Sequence, residues 1–97
     1  MDTTADATRT EAFKALAEPT RLAVVMRLAC ANAPMTVTEV SGCCGVHLSG
    51  VSRHLAALRT AGLVDVAREG REARYQLKRQ ELCDMLRGFA DALEGCC

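Results

Sequence analysis

The sequence predicts a mainly α-helical fold that carries one β-hairpin. Apolar residues make up 49% of the chain and aromatic residues only 3%, so Ala, Leu, Val and Met must form the core, which suits packed helices. Apolar residues recur at helical spacing through most of the chain, whereas residues 63–78 alternate in the manner of strands. A chain of 97 residues makes one domain, and a core this small would gain stability from a dimer interface.

Two helices are predicted in the first third of the chain. Residues 1–8 are expected to be frayed, and "TRTEAFKALAE" predicts a first helix with Phe13 and Leu16 on one face. Pro19 occupies the favoured first position of a second helix, directly after Glu18. The apolar residues at helical spacing in this second helix are Leu22, Val25, Met26 and Ala29.

Residues 36–62 predict two short helices joined by a tight turn. Thr36 followed by Glu39 forms the capping-box pattern that begins a helix, and Gly45 is expected to end it. Ser49 is a suitable cap for the next helix, which is expected to end at Gly62. This arrangement is a helix-turn-helix.

The second of these helices has one face suited to DNA. Steps of 100° per residue from Val51 place Leu48, Leu55 and Leu58 on the buried side. The opposite side carries small residues, hydroxyls and one arginine, which can enter a major groove. These residues are Ser49, Ser52, Arg53, Ala56 and Thr60. His54 lies on the flank, where a half-buried packing role and a DNA contact are equally expected.

Residues 63–78 predict a hairpin that forms a wing. Val64 and Val66 alternate with polar residues, "EG" supplies a turn, and the alternation resumes after it. Arg68 and Arg71 lie on either side of that turn, where they could follow phosphates or the minor groove. An ordinary solvated hairpin is the alternative. The residues predicted to contact DNA are Ser49, Gly50, Ser52, Arg53, His54, Arg68 and Arg71.

The charge distribution supports a DNA-binding segment. The chain has no net charge, yet residues 47–79 contain seven basic and three acidic residues. Residues 80–97 are acidic instead. A neutral chain with one basic segment fits a local phosphate-binding face.

Residues 80–94 predict a last helix, and residues 95–97 form a thiol tail. The apolar stripe of this helix consists of Leu82, Leu86, Phe89 and Leu93. A cysteine hydrolase would need a thiol, an imidazole and an orienting group in one pocket. Both histidines, His47 and His54, lie on or beside the predicted DNA-reading helix, so we expect no enzyme.

Six cysteines in so short a chain call for a role. No apolar run is long enough to span a bilayer and no signal-peptide core is present, so we expect a cytoplasmic protein with no membrane partner. In a reducing compartment cysteines favour metal binding or redox sensing over disulfides. Two vicinal pairs occur, Cys43-Cys44 and Cys96-Cys97.

Four stretches of the chain resemble the ArsR/SmtB family of metal-sensing bacterial repressors, from about Phe13 to Leu93. They are "LAEPTRLAVVMRL", "VTEV", "LSGVSRHLAALRTAGLV" and "REGREARYQL". The resemblance implies a winged helix-turn-helix whose homodimer is built by the first and last helices. It also implies binding to double-stranded operator DNA and release when an inducer binds.

The inducer site is expected to consist of thiolates. The family's Cys-x-Cys arsenic site falls on Thr36 and Thr38 here, and its Asp/His site on the last helix lacks histidine. Some arsenic sensors of the family carry a vicinal cysteine pair at the end of the last helix, and this match falls on Cys96 and Cys97. Soft thiolates select thiophilic ions, so the implied inducer is As(III), Sb(III) or Hg(II), with no permanent cofactor.

The sequence leaves open which cysteine supplies the third thiolate ligand. Cys83 lies 13 residues before Cys96, or about 20 Å along a straight helix, so it would have to come from the partner chain unless the tail folds back. Cys30 is the other candidate, and Cys43 with Cys44 forms a rival site. Packing is the ordinary alternative for Cys30, Cys44 and Cys83. A thiol redox or persulfide sensor, in which Cys30 and a last-helix cysteine form the switch, is the alternative function.

Overall fold

The computed structural model describes residues 3–31, 33–44 and 47–95, with side chains for residues 7–31, 33–42 and 47–95. The elements follow the predicted order of five helices with a hairpin before the last. They are α1 Thr3–Leu16, α2 Pro19–Cys30, β1 Met35–Thr36, α3 Val37–Cys44, α4 Leu48–Thr60, β2 Val64–Glu69, β3 Glu72–Leu77 and α5 Arg79–Gly95. This confirms the mainly helical fold with a β-hairpin wing. None of the described helices is long and apolar enough to cross a membrane.

Two elements differ from the expectation. Helix α1 begins at Thr3, so most of the segment expected to be frayed is helical. Strand β1 was not predicted, because two residues are too few to show alternation. It pairs antiparallel with β3 and completes a three-stranded sheet in the order β1-β3-β2.

The hairpin turns through two residues, Gly70 and Arg71. Gly70 has a φ of 62°, a left-handed conformation that costs glycine little. Glycine at the first central position of a two-residue turn matches the twist of the flanking strands. The turn places Glu69 and Glu72 directly opposite each other.

The core lies where α2, α3 and α4 meet the sheet. Six side chains at its centre are almost wholly buried: Val24, Val40, Val51, Leu55, Leu58 and Val64. Helix α2 buries Val24, Val25 and Leu28. Leu22 and Met26, which share the helical spacing, are 47% and 59% exposed. Helix α2 carries apolar residues on both sides, so spacing alone did not decide which side faces the core.

Of the four helix ends predicted for the DNA-reading unit, two agree with the structure, one differs and one lies outside the described residues. Thr36 and Glu39 form the capping box of α3, and Gly62, with a φ of 80°, follows α4. The cap of α4 is His47 rather than Ser49, because Ser49 N donates to His47 Nδ1 at 3.2 Å. Leu48 therefore lies in the first turn, where it is 45% exposed instead of buried. The end of α3 that we assigned to Gly45 lies outside the described residues.

Helix α5 packs on its own chain mainly through its first half. Leu82 is buried and Met85 lies against the core. Further along, Phe89 meets Phe13 of α1 edge-to-face, with ring centroids 5.0 Å apart. The rest of the predicted stripe stays open, since Leu86 and Leu93 are 42% and 61% exposed.

Candidate nucleic-acid interface and thiol sites

Helix α4 presents a polar face to solvent and an apolar face to the core. Val51, Leu55 and Leu58 are fully buried and fix the helix in the domain. The opposite side is exposed, as predicted from helical stepping: Ser49, Ser52, Arg53, Ala56 and Thr60. Gly50, which we also predicted as a DNA contact, is buried in the first turn. The exposed side can therefore approach a major groove without a bulky side chain in the way.

A depression of about 750 Å³ separates the start of α3 and helix α4 from the hairpin. Ser52 lies on its helical side, and Arg68, Arg71 and Arg74 lie on its hairpin side. A second depression of about 470 Å³ lies between the later turns of α4 and the hairpin, and Ser52 and Arg68 border this one too. Ser52 and Arg68 therefore border both depressions.

Arg68 and Arg71 are the exposed cations of the hairpin. Neither makes an ion pair with any residue whose side chain the structure describes. Charged hydrogen bonds to phosphate oxygens position DNA-binding proteins on the duplex, and these two guanidinium groups are open to make them. Arg74 differs, because it is in contact with three carboxylates.

His54 faces the junction of α1 and α2 rather than the open side of α4. Its Nδ1 accepts a hydrogen bond from Arg21 Nε at 3.3 Å, and its Nε2 lies 3.7 Å from Glu18 Oε2. The side chain is 23% exposed. This placement favours the packing role over the DNA contact that we predicted for His54.

Glu18 is the cap of α2 and anchors the same junction. Its Oε2 accepts a hydrogen bond from Arg21 N at 2.9 Å, while Arg21 Nη1 donates to the carbonyl of Ala15 at 3.2 Å. The backbone hydrogen bond from Arg21 lowers the pKa of the Glu18 carboxyl below its ordinary value. Glu18 is therefore ionised at neutral pH.

The described thiols lie near one end of α5. Cys30 is exposed at the last residue of α2, and Cys83 is half-buried on α5. Arg79, one helical turn before Cys83, donates from Nη2 to the carbonyl of Ala29, next to Cys30. This contact ties the end of α2 to the beginning of α5.

The remaining cysteines lie outside the described side chains. Cys96 and Cys97 follow the last described residue, and only the backbone of Cys43 and Cys44 is described. Among the side chains that the structure describes, no group of three His, Cys, Asp or Glu could hold a metal ion. Helix α5 continues to Gly95, so Cys83 lies about 18 Å along the axis from the residue that precedes the tail.

Comparisons with known proteins agree with this fold. A family model described as a helix-turn-helix domain matches residues 16–67. The transcriptional regulator NmtR of Mycobacterium tuberculosis is 35% identical over 86 residues, which cover 89% of this chain and 70% of that protein. A transcriptional repressor SmtB homolog of Synechocystis is 34% identical over 84 residues, which cover 87% of this chain and 62% of that protein.

A solved structure shows the same architecture. It is the homodimeric winged helix-turn-helix DNA-binding domain of a possible ArsR-family transcriptional regulator from Mycobacterium bovis. The match has a TM-score of 0.71 and 28% identity, and it covers 88% of this chain and 80% of that one. These relatives are transcriptional regulators, which confirms the prediction that the chain is not an enzyme. The chain belongs to the ArsR/SmtB family of winged-helix transcriptional regulators.

Proposed function

We propose that the chain is a homodimeric repressor that leaves its operator when a thiophilic ion binds cysteine thiolates. As(III) is the first candidate, with Sb(III) and Hg(II) as the others. The observation that carries the DNA-binding part is the exposed polar side of α4 beside two exposed wing arginines, Arg68 and Arg71. The sensing part is supported by the six cysteines and by the soft-ion chemistry of thiolates.

The exposed side of α4 and the hairpin would contact DNA together. The side chains of Ser52 and Arg53 on α4 would reach base edges and phosphates in the major groove. Arg68 and Arg71 would hold the flanking backbone, which fixes register but reads no sequence. A dimer would place two copies of α4 in successive major grooves, about 34 Å apart.

The homodimer is supported by apolar surface that one chain leaves open. On α5, Leu86 and Leu93 point away from the core. Helix α2 has a second apolar surface, because its side opposite the core carries no polar residue: Pro19, Leu22, Ala23, Met26 and Cys30 are all exposed. A surface helix normally presents polar residues outward. Contiguous apolar surface of this kind marks an interaction site, and a second copy is the occupant that we propose.

The dimer interface would then involve α1, α5 and the outer side of α2. Helix α1 is already in contact with α5 through Phe13 and Phe89. Arg9 of α1 lies over the Phe89 ring, 5.7 Å from its centroid, which holds the two helices together in each chain.

The length of α5 supports a site shared between subunits. The helix has 17 residues, or about 25 Å, and the tail thiols follow its far end. Cys30 and Cys83 both lie toward its near end. If the two copies of α5 pair antiparallel, the tail of one chain meets the near end of the other. Cys30 of the partner subunit is then the better third ligand, because Cys30 is exposed and Cys83 is half-buried.

Release of DNA would follow from linkage between the two sites. Ion binding needs deprotonated thiols and draws together groups from two chains. A dimer held in that geometry would no longer place both copies of α4 in successive grooves. A coupling of about 1–3 kcal/mol is typical for such linkage and would change operator occupancy appreciably.

A redox or persulfide sensor on the same scaffold is the second candidate. The Arg79–Ala29 contact supports it, since this contact keeps Cys30 and Cys83 on neighbouring parts of one chain. Oxidation of those two thiols would leave the tail unused. Cys43 and Cys44 at the end of α3 remain the rival metal site.

The test is fluorescence anisotropy on a duplex from the DNA upstream of the protein's own gene. The complex is titrated with As(III), Sb(III), Hg(II) and peroxide, and the six single Cys→Ser variants are read beside the wild type. We expect As(III) to release the wild type, and Cys30→Ser, Cys96→Ser and Cys97→Ser to stay bound. Peroxide release that needs only Cys30 and Cys83 would replace the proposal with the redox sensor.

A further inference from the structure

Arg74 lies where the hairpin meets the helix-turn-helix unit. In the sheet register it is opposite Thr36 of β1 on one side and Ala67 of β2 on the other. Strand β1 leads directly into α3, so this residue belongs to the hairpin but borders the start of a helix. Its side chain is 34% exposed.

The Arg74 guanidinium is in contact with three carboxylates. Nη2 lies 2.9 Å from Glu72 Oε2, and Nε lies 3.8 Å from Glu69 Oε2. Nη1 lies 3.6 Å from Glu39 Oε1. The first two carboxylates belong to the hairpin and the third belongs to α3, so one side chain connects the two structures.

Glu39 is a fixed partner because the backbone orients its carboxylate. Thr36 N donates to Glu39 Oε1 at 2.9 Å, and Glu39 N donates to Thr36 Oγ1 at 3.2 Å. The oxygen that faces Arg74 is the one that accepts the backbone hydrogen bond. Arg74 is therefore held at a set position relative to the first turn of α3.

Within the hairpin, Arg74 offsets the repulsion between two carboxylates. Glu69 and Glu72 are directly opposite each other in the register, an arrangement that destabilises a sheet unless it is compensated. Arg74 compensates both carboxylates. Arg68 and Arg71, which border the same depression, stay available for phosphates.

We infer that Arg74 is a positioning residue of the DNA-binding unit: it fixes the hairpin against the start of α3, the helix that packs on α4, so that Arg68 and Arg71 reach the phosphates. Arg74 itself makes no phosphate contact in this arrangement, since its guanidinium faces three carboxylates. The inference rests on the proposed operator binding and adds a role that neither strand alternation nor helical spacing indicates.

Glu39→Gln separates positioning from simple electrostatics. Glutamine at this position preserves the capping box but removes the ion pair. The change also removes a negative charge from a surface that faces DNA, so electrostatics alone would tighten binding. Positioning predicts weaker binding, by up to about fivefold, the upper end of what one exposed ion pair contributes. The matched control is Glu72→Gln, which removes the same charge but no tie to α3, and it should bind DNA at least as tightly as wild type.

The variant Arg74→Gln gives a second test, through the dependence of DNA affinity on salt concentration. We expect about tenfold weaker binding, and a fall in the salt slope equivalent to two phosphate contacts in each subunit, because Arg68 and Arg71 would no longer reach their phosphates. Adding Arg68→Gln and Arg71→Gln to this variant should then change little, since the effects are not additive. A slope change of about 0.9 for each subunit, with additive losses, would mean that Arg74 binds a phosphate directly, and would overturn the inference.

Hydrogen exchange gives a readout without DNA. The amides that pair β1 with β3 should exchange faster in Glu39→Gln than in wild type or Glu72→Gln. Equal exchange in both variants, or tighter DNA binding by Glu39→Gln, would contradict the inference. The proposed function would still stand in that case, provided that the wild-type protein binds the duplex. A wild-type chain that binds no duplex from its own upstream DNA would overturn both.

Discussion

Arg21 Nε donates a hydrogen bond to His54 Nδ1 at 3.3 Å and thereby connects α2 to the flank of the DNA-reading helix. The same arginine donates to the carbonyl of Ala15 in α1. Three helices thus meet at one guanidinium. Because His54 is occupied in this contact, its main effect should be on stability rather than on DNA binding.

His54→Gln should lower the free energy of unfolding by about 1 kcal/mol, the usual net value of one hydrogen bond. DNA affinity and its salt slope should stay within twofold of wild type at a temperature where the variant is folded. Urea unfolding and anisotropy measure the two quantities on the same preparation. A loss of DNA affinity with unchanged stability would instead restore His54 as a DNA contact. Arg53→Gln, on the exposed side of the same helix, is the matched comparison and should show the opposite pattern.

Two helix caps predict how stability depends on pH. Backbone hydrogen bonds, from Arg21 N to Glu18 and from Thr36 N to Glu39, lower the pKa of each carboxyl below the ordinary value of 4.5. The unfolded chain therefore binds protons more readily in this range, and stability rises with pH. The contribution is complete above pH 4.5 and is lost as the pH falls through the lowered values.

Urea unfolding at a series of pH values on both sides of 4.5 tests this prediction. Glu18→Gln and Glu39→Gln should each reduce the loss of stability on acidification, and the double variant should reduce it further. Glu39→Gln retains the geometry of its cap, so its effect isolates the charge. A profile identical to that of wild type in the double variant would show that other groups govern acid unfolding.

The open apolar surfaces predict the dimer interface. Leu86→Glu on α5 and Met26→Glu on α2 should each weaken dimerisation more than tenfold, because burial of such a side chain contributes about 2 kcal/mol. Sedimentation over a concentration series measures the dissociation constant. Leu48→Glu is the control, since Leu48 is as exposed as Leu86, at 45% against 42%, but lies in the first turn of α4. A dimer unaffected by Met26→Glu would remove α2 from the interface.

The sequence predicted the elements well because their signals are local. The Thr36–Glu39 capping box, the glycine after α4 and the alternation of the hairpin each depend on neighbours along the chain. The orientation of α2 was not predictable, because Leu22 and Met26 share the spacing of the residues that are buried. Long side chains were hardest to place. Arg74 contacts Glu39 and Arg21 contacts His54, both far away in sequence, and nothing in the neighbouring sequence indicates these two partners.

The site predictions also succeeded where the signal is local and failed where it depends on residues distant in sequence. Helical stepping identified the exposed side of α4 because the periodicity of that one helix determines which of its residues are buried. It did not separate the two roles of His54, which depend on Arg21 and Glu18. A thiol site assembled from two chains leaves no spacing pattern in one, so Cys30 and Cys83 could only be named as candidates.

Mixed dimers test whether the thiol site is shared between subunits. Cys30→Ser removes the proposed third ligand, and Cys96→Ser/Cys97→Ser removes the tail pair. Each variant alone should fail to respond to As(III). A heterodimer of the two contains one intact site if the ligands come from opposite subunits, because the wild-type tail of the first chain then meets the wild-type Cys30 of the second.

The prediction for these mixtures is quantitative. Unfolding and refolding an equimolar mixture gives half heterodimers, so about half of the complexes should recover release by As(III). Differently tagged chains allow the heterodimer to be purified and titrated alone. If all three thiolates came from one chain, neither chain of the heterodimer would hold a complete site and no response would return. Cys83→Ser in place of Cys30→Ser is the companion variant, and recovery that depends on Cys83 rather than Cys30 would assign the third ligand to α5.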